Sequence, residues 1–120
     1  MKSKVYSGTT DPKDWKQHPT VANQIYIDVD TSKCDFKETP LYICSLVGCS
    51  HHWSTTGGSS IYVPTPTGFR VNVRNAVSYF TEGTCNYCPL QVSTAVEHKW
   101  RINWIAVEND EVDVDWSCPT

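Results

Sequence analysis

The chain has no long apolar run, no basic cluster, almost no helical periodicity and none of the common catalytic signatures. No stretch approaches the roughly 18 apolar residues of a membrane span, and the start, MKSKVYSGTTDP, has no apolar core of a signal sequence, so we expect a soluble chain whose secretion signal is absent or already removed. The 10 Lys and Arg are scattered and the formal net charge is −3, which argues against nucleic acid or an anionic lipid surface as partner and against membrane insertion. His-Glu-x-x-His, Gly-x-Ser-x-Gly and a glycine-rich loop opening a helix are all missing, which removes the usual zinc protease, serine hydrolase and phosphate-binding readings. No Asn-x-Ser/Thr triplet offers an N-glycosylation site.

Cysteine and aromatic residues, by contrast, are plentiful. At 120 residues the sequence predicts a single domain, residues 1–120, with one core. The 6 cysteines, Cys34, Cys44, Cys49, Cys85, Cys88 and Cys118, are an even number in a small domain, the mark of a disulfide framework in an oxidising compartment. The expected location is therefore secreted, extracellular or at the cell surface. The pairing stays open. With 5 Trp and 6 Tyr, the chain holds more aromatic surface than a core of this size needs, which leaves rings for contacts.

Residues 1–24 show turn formers and no sustained period, and read as an irregular N-terminal arm that packs through Val5, Tyr6 and Trp15. From 25 to 120 a period of two takes over. Ile25, Ile27 and Val29 alternate with Tyr26, Asp28 and Asp30. TPLYICSLVG is a continuous apolar run expected of a central strand, and SIYV, FRVNVRN, KWRINWIAVE and EVDVDW supply further strands. TPTGF makes the tight turn of a hairpin. LQVSTAVEHKW is the one candidate for a helical turn or two. Short strands separated by turns predict an all-β fold, a six- to seven-stranded antiparallel β-sandwich.

The segment GCSHHWSTTGGSS, 48–60, raises three chemistries. CNYC, 85–88, has the spacing of half a structural zinc site that Cys49, His51 and His52 could complete, but one such pair is a weak signal and no cofactor or metal is expected. Cys49 and His51 could share a side of an extended segment as nucleophile and base, yet Cys49 in a disulfide is the simpler expectation, and no enzymatic activity is expected. The third chemistry is a ligand-presenting loop. Trp53, beside His51, His52, Ser54, Thr55 and Thr56, joins a ring that packs on the C–H face of a sugar to donors and acceptors for its hydroxyls. A tryptophan that only caps the sandwich end would look the same in sequence. Tyr87 belongs to a second aromatic loop, AVSYFTEGTCNYC.

Four pieces in order, SGTTDPKDW, TPLYICSL, YVPTPTGF and INWIAVEN, resemble the H-type lectin family of the snail agglutinins and discoidin over about residues 5 to 109. The resemblance implies a six-stranded antiparallel β-sandwich that assembles as a homotrimer and binds galactose or N-acetylgalactosamine between neighbouring subunits. It places an acidic ligand residue on the arm at Asp11 or Asp14, and leaves Tyr87 and His98 in the segment where the family has its aromatic and imidazole contacts. The expected function is a multivalent carbohydrate-binding domain, with candidate ligand residues Asp14, His51, His52, Trp53, Tyr87 and His98, a glycan as partner and a likeness to cell-adhesion lectins. The competing class is an extracellular adhesion or structural module that binds protein through the same aromatics.

Overall fold

The computed structural model describes residues 3–76 and 89–109. In chain order they form β1 (Ser3–Thr9), a 3₁₀ turn (Pro12–Asp14), β2 (Lys16–Gln17), β3 (Gln24–Asp30), a second 3₁₀ turn (Ser32–Cys34), β4 (Leu41–Val47), β5 (Thr55–Thr56), β6 (Tyr62–Thr65), β7 (Gly68–Asn75), α1 (Val92–Glu97) and β8 (Arg101–Asn109). The strands make two antiparallel sheets, one ordered β1-β8-β4 and one ordered β2-β3-β7-β5, with β6 also paired to β7. The fold is all-β, with one short helix among the described residues, as the period of two requires.

Alternation decides which side chains meet between the sheets. Ile25, Ile27 and Val29 of β3 lie opposite Val73, Val71 and Phe69 of β7, and all six are buried. Ile102, Trp104 and Ala106 of β8 face them from the other sheet, joined by Cys44 of β4. Burying each such aliphatic side chain contributes about 1.5–3 kcal/mol. α1 and the loop before it close one end of the core with Leu90 and Ala95, both fully buried.

Three expectations change. The arm is not irregular throughout, because residues 3–9 form β1 along most of β8, from Ser3 opposite Asn109 to Thr9 opposite Asn103. No apolar alternation announced it, since its inward positions are Tyr6 and Gly8. A Cβ on Gly8 would stand 2.5 Å from the Trp104 ring, so the inward residue there must be small. Val5, expected to pack inward, is 66% exposed. Among the described residues the apolar run of β4 is an edge strand rather than a central one. A strand apolar on both faces reads as doubly buried, but here Ile43 is outward and 64% exposed. The third change is in the strand expected at SIYV. It begins at Tyr62, and its register on β7 breaks between Tyr62 and Thr65. EVDVDW lies outside the described residues.

The outer faces of the two sheets differ in kind. Outward on the three-stranded sheet are Val5, Val107 and Leu41 in one row and Ser7, Ile105 and Ile43 in the next. Outward on the other sheet are Gln24, Tyr26 and Asp28 against Arg74, Asn72 and Arg70. No helix among the described residues is long and apolar enough to cross a membrane.

Candidate functional site

The loop between β4 and β5 is the HHW segment, and it is tied down at both ends. Its start is held where Cys49 N–H donates to the His98 carbonyl at 2.9 Å, and where Trp100 Nε1 donates to the Ser50 carbonyl at 2.8 Å. Farther along, Thr55 N–H and Thr55 Oγ1 both donate to the His52 carbonyl, at 3.1 and 2.6 Å, and Ala76 N–H donates to the Ser54 carbonyl at 2.8 Å. These bonds leave little freedom to the backbone on either side of Trp53.

Trp53 itself is 87% exposed. The ring is not part of the core. His51 adopts φ 73°, a left-handed conformation uncommon for a residue with a side chain. The turn brings its ring onto His98, with centroids 4.0 Å apart and planes inclined by 26°. His52 sets its ring edge-on to Trp100 at 6.1 Å, and its buried Nδ1 meets no hydrogen-bond partner among the described residues. Two candidate residues distant in sequence, His51 and His98, are thus in contact, while His52 and Trp53 flank them along the loop.

Asp14 ends the first 3₁₀ turn, which packs on α1, the helix that His98 caps. Its carboxylate is exposed and makes no hydrogen bond or ion pair among the described residues. Tyr87 lies outside the described residues, as do Cys85, Cys88 and Cys118.

Cys34, Cys44 and Cys49 are free thiols in the structure, so the disulfide expected at Cys49 is not present there. Cys49 is exposed beside the His98 carbonyl. Cys44 is buried between the sheets, where desolvation pushes its thiol up to about 11, and its Sγ lies 3.7 Å from the Gly58 carbonyl. Burial also raises the Cys34 thiol. No three His, Cys, Asp or Glu side chains converge as metal ligands among the described residues.

A second concave surface escaped the sequence reading. A groove of about 420 Å³ crosses the outer face of β7, between the β5–β6 segment and β3, and is lined by Gln24, Thr56, Gly57, Tyr62, Asn72 and Arg74 among others. The alternation of FRVNVRN showed that Asn72 and Arg74 share the outward face. The sequence carried no signal for Gln24 lying opposite Arg74, nor for the β5–β6 segment folding over both.

The described geometry is that of an all-β domain with an anchored aromatic loop at one end and a polar groove on one sheet. Comparison of the chain with protein-family models, with curated proteins and with solved structures returns no match.

Proposed function

We propose that the chain is a non-enzymatic, secreted carbohydrate-binding domain that works as a homotrimer, with galactose-type or other terminal sugars as ligands. One observation carries it: an indole 87% exposed on a loop whose backbone is anchored by hydrogen bonds to His98, which caps α1, to Ala76, just after β7, and to Trp100, just before β8. Leaving a large ring in water gains nothing for folding, and holding it rigid lowers the entropy lost when a ligand packs on it. The ring, the imidazoles of His51, His52 and His98 and the hydroxyls of Ser54, Thr55 and Thr56 supply the apolar face and the polar groups that a pyranose requires. The resemblance to H-type lectins points the same way.

Trimerisation draws support from the three-stranded sheet, whose outward rows of Val5, Leu41, Ile43, Ile105 and Val107 give a contiguous apolar surface. Weak single sites then gain strength through multivalency. The same surface also favours the second reading, a module that docks on another protein.

A glycan array together with the mass in solution tests the proposal. A trimer that binds a defined terminal sugar, with binding lost in Trp53→Ala, is the expected result. A folded monomer that retains no glycan would overturn it, and binding that simple sugars fail to displace would favour the protein-docking module.

A further inference from the structure

We infer that the groove on the outer face of β7 is a saccharide subsite that selects a carboxylated sugar, with Arg74 receiving the carboxylate and Tyr62 the ring. The inference rests on the carbohydrate-binding reading and deepens it.

The two arginines on this face are in different states. Arg70 is neutralised by Asp28, with Nε–Oδ1 at 2.7 Å and Nη2–Oδ2 at 3.0 Å, and its guanidinium lies 4.2 Å from the centroid of the Tyr26 ring. Arg74, four residues on and on the same face, stands opposite the neutral Gln24. It is exposed and has no ion-pair or hydrogen-bond partner among the described residues. No acidic residue among the described ones lines the groove. A protein of net charge −3 thus holds a concave, locally cationic surface. The planar fork of a guanidinium matches a carboxylate bidentately, which a neutral hydroxyl cannot reproduce.

The rest of the lining suits a sugar. The side-chain amides of Gln24 and Asn72 and the phenol of Tyr62 are likewise without side-chain hydrogen bonds among the described residues, so their donors and acceptors face the groove unengaged. Tyr62 is 50% exposed at the groove wall. Its position is bought with backbone strain: the register of β6 on β7 breaks just after it, and Val63 adopts φ 51°, which a β-branched residue avoids. Bulges of this sort re-aim side chains near functional sites. On the other wall Gly57, at φ 102°, lies so close to the Asn72 carbonyl that a side chain there would collide with it. Only glycine lets the β5–β6 segment close over β7.

The test titrates the full chain with galacturonate, galactose and galactose 6-sulfate, following amide shifts by NMR, in the parent protein and in Arg74→Gln, Tyr62→Ala and Trp53→Ala. Galacturonate is expected to bind about tenfold or more tighter than galactose. That preference should weaken with added salt and disappear in Arg74→Gln. Tyr62→Ala should weaken galacturonate binding by a similar factor. Equal affinities for galacturonate and galactose, or a preference that survives Arg74→Gln, would overturn the subsite while leaving the lectin reading in place. Galactose 6-sulfate binding as tightly as galacturonate would overturn the carboxylate assignment. Failure of all three sugars, with a blank glycan array, would remove both readings together. Arg74 is exposed, so loss of folding is not expected in Arg74→Gln, and its unchanged amide spectrum away from β7 verifies this.

Discussion

Trp15 donates its indole N–H to the carbonyl of Trp100 at 3.0 Å, and Trp100 in turn donates its own to the carbonyl of Ser50 at 2.8 Å. The two bonds join the N-terminal arm, the residue just before β8 and the HHW loop, so the loop's position depends on a residue 50 positions away. Trp100→Phe keeps the buried ring and removes the donor, leaving the Ser50 carbonyl without its bond. We expect a stability loss of about 1–3 kcal/mol in denaturant melts, with a comparable weakening of glycan binding. Trp53→Ala should do the reverse, changing stability by no more than about 0.5 kcal/mol while abolishing binding at the loop.

The apolar outward rows make a prediction about assembly. Ile43→Asp places a charge in the outward apolar rows, where Ile43 lies opposite Ile105 of the middle strand. The mass measured by light scattering is expected to fall from that of the proposed trimer to that of a monomer without loss of the near-ultraviolet signature of the fold. An unchanged trimer would place the interface elsewhere.

The ion pair of Asp28 and Arg70 has a pH signature. The hydrogen bond and charge of Arg70 hold the Asp28 carboxyl below its ordinary 3.8. A depressed value in the folded state stabilises it above the unfolded value, and that contribution is lost as pH falls through the folded one. Both side chains are substantially exposed, at 42% and 55%, so the contribution is at most about 1 kcal/mol. Parent protein and Asp28→Asn should differ by that amount near neutrality and converge as pH falls well below 3.8, measured by urea melts across the acid range.

Burial ranks the described thiols. In reduced protein, brief alkylation followed by peptide mapping should label exposed Cys49 first, Cys34 more slowly and Cys44 last, because Cys44 is buried and its thiol is pushed up to about 11. Early labelling of Cys44 would mean that the sheets separate readily.

Gly8→Val tests the close approach of β1 to β8. The added side chain must displace the Trp104 ring, and overpacking of this kind costs about 1–3 kcal/mol. The expected readout is a lowered midpoint and a shifted tryptophan emission.

Where the sequence was legible, one physical pattern carried the signal. Strands β3, β7 and β8 each bury every second residue, and alternation in Ile25–Val29, Phe69–Val73 and Ile102–Ala106 showed it directly. The strand β1 was hidden because its inner face is built from Tyr6 and Gly8, chosen to fit around Trp104 rather than to be uniformly apolar. The edge placement of β4 was hidden for the opposite reason, since an outward Ile43 and an inward one look alike in a string of letters. At the site, the identity of the HHW loop was readable from residue types, but the stacking of His51 on His98 was not. It depends on a left-handed turn at His51 and on the docking of α1. The groove at Arg74 depends on strand register and on a break in it, and neither is written in local periodicity.

The two sheets also end differently. Among the described residues, the five-stranded sheet finishes in β2 and β5, each two residues long, beside the irregular β6, whereas the three-stranded sheet is bounded by β1 and β4, seven residues each and regular along their length. Short and broken margins give an incoming chain too few consecutive backbone groups to zip onto, and long regular ones give a full template. Misassembly by strand recruitment, if it occurs when the protein is concentrated or partly unfolded, will therefore propagate from β1 and β4. A lysine or proline introduced outward on either strand is the change that would suppress it.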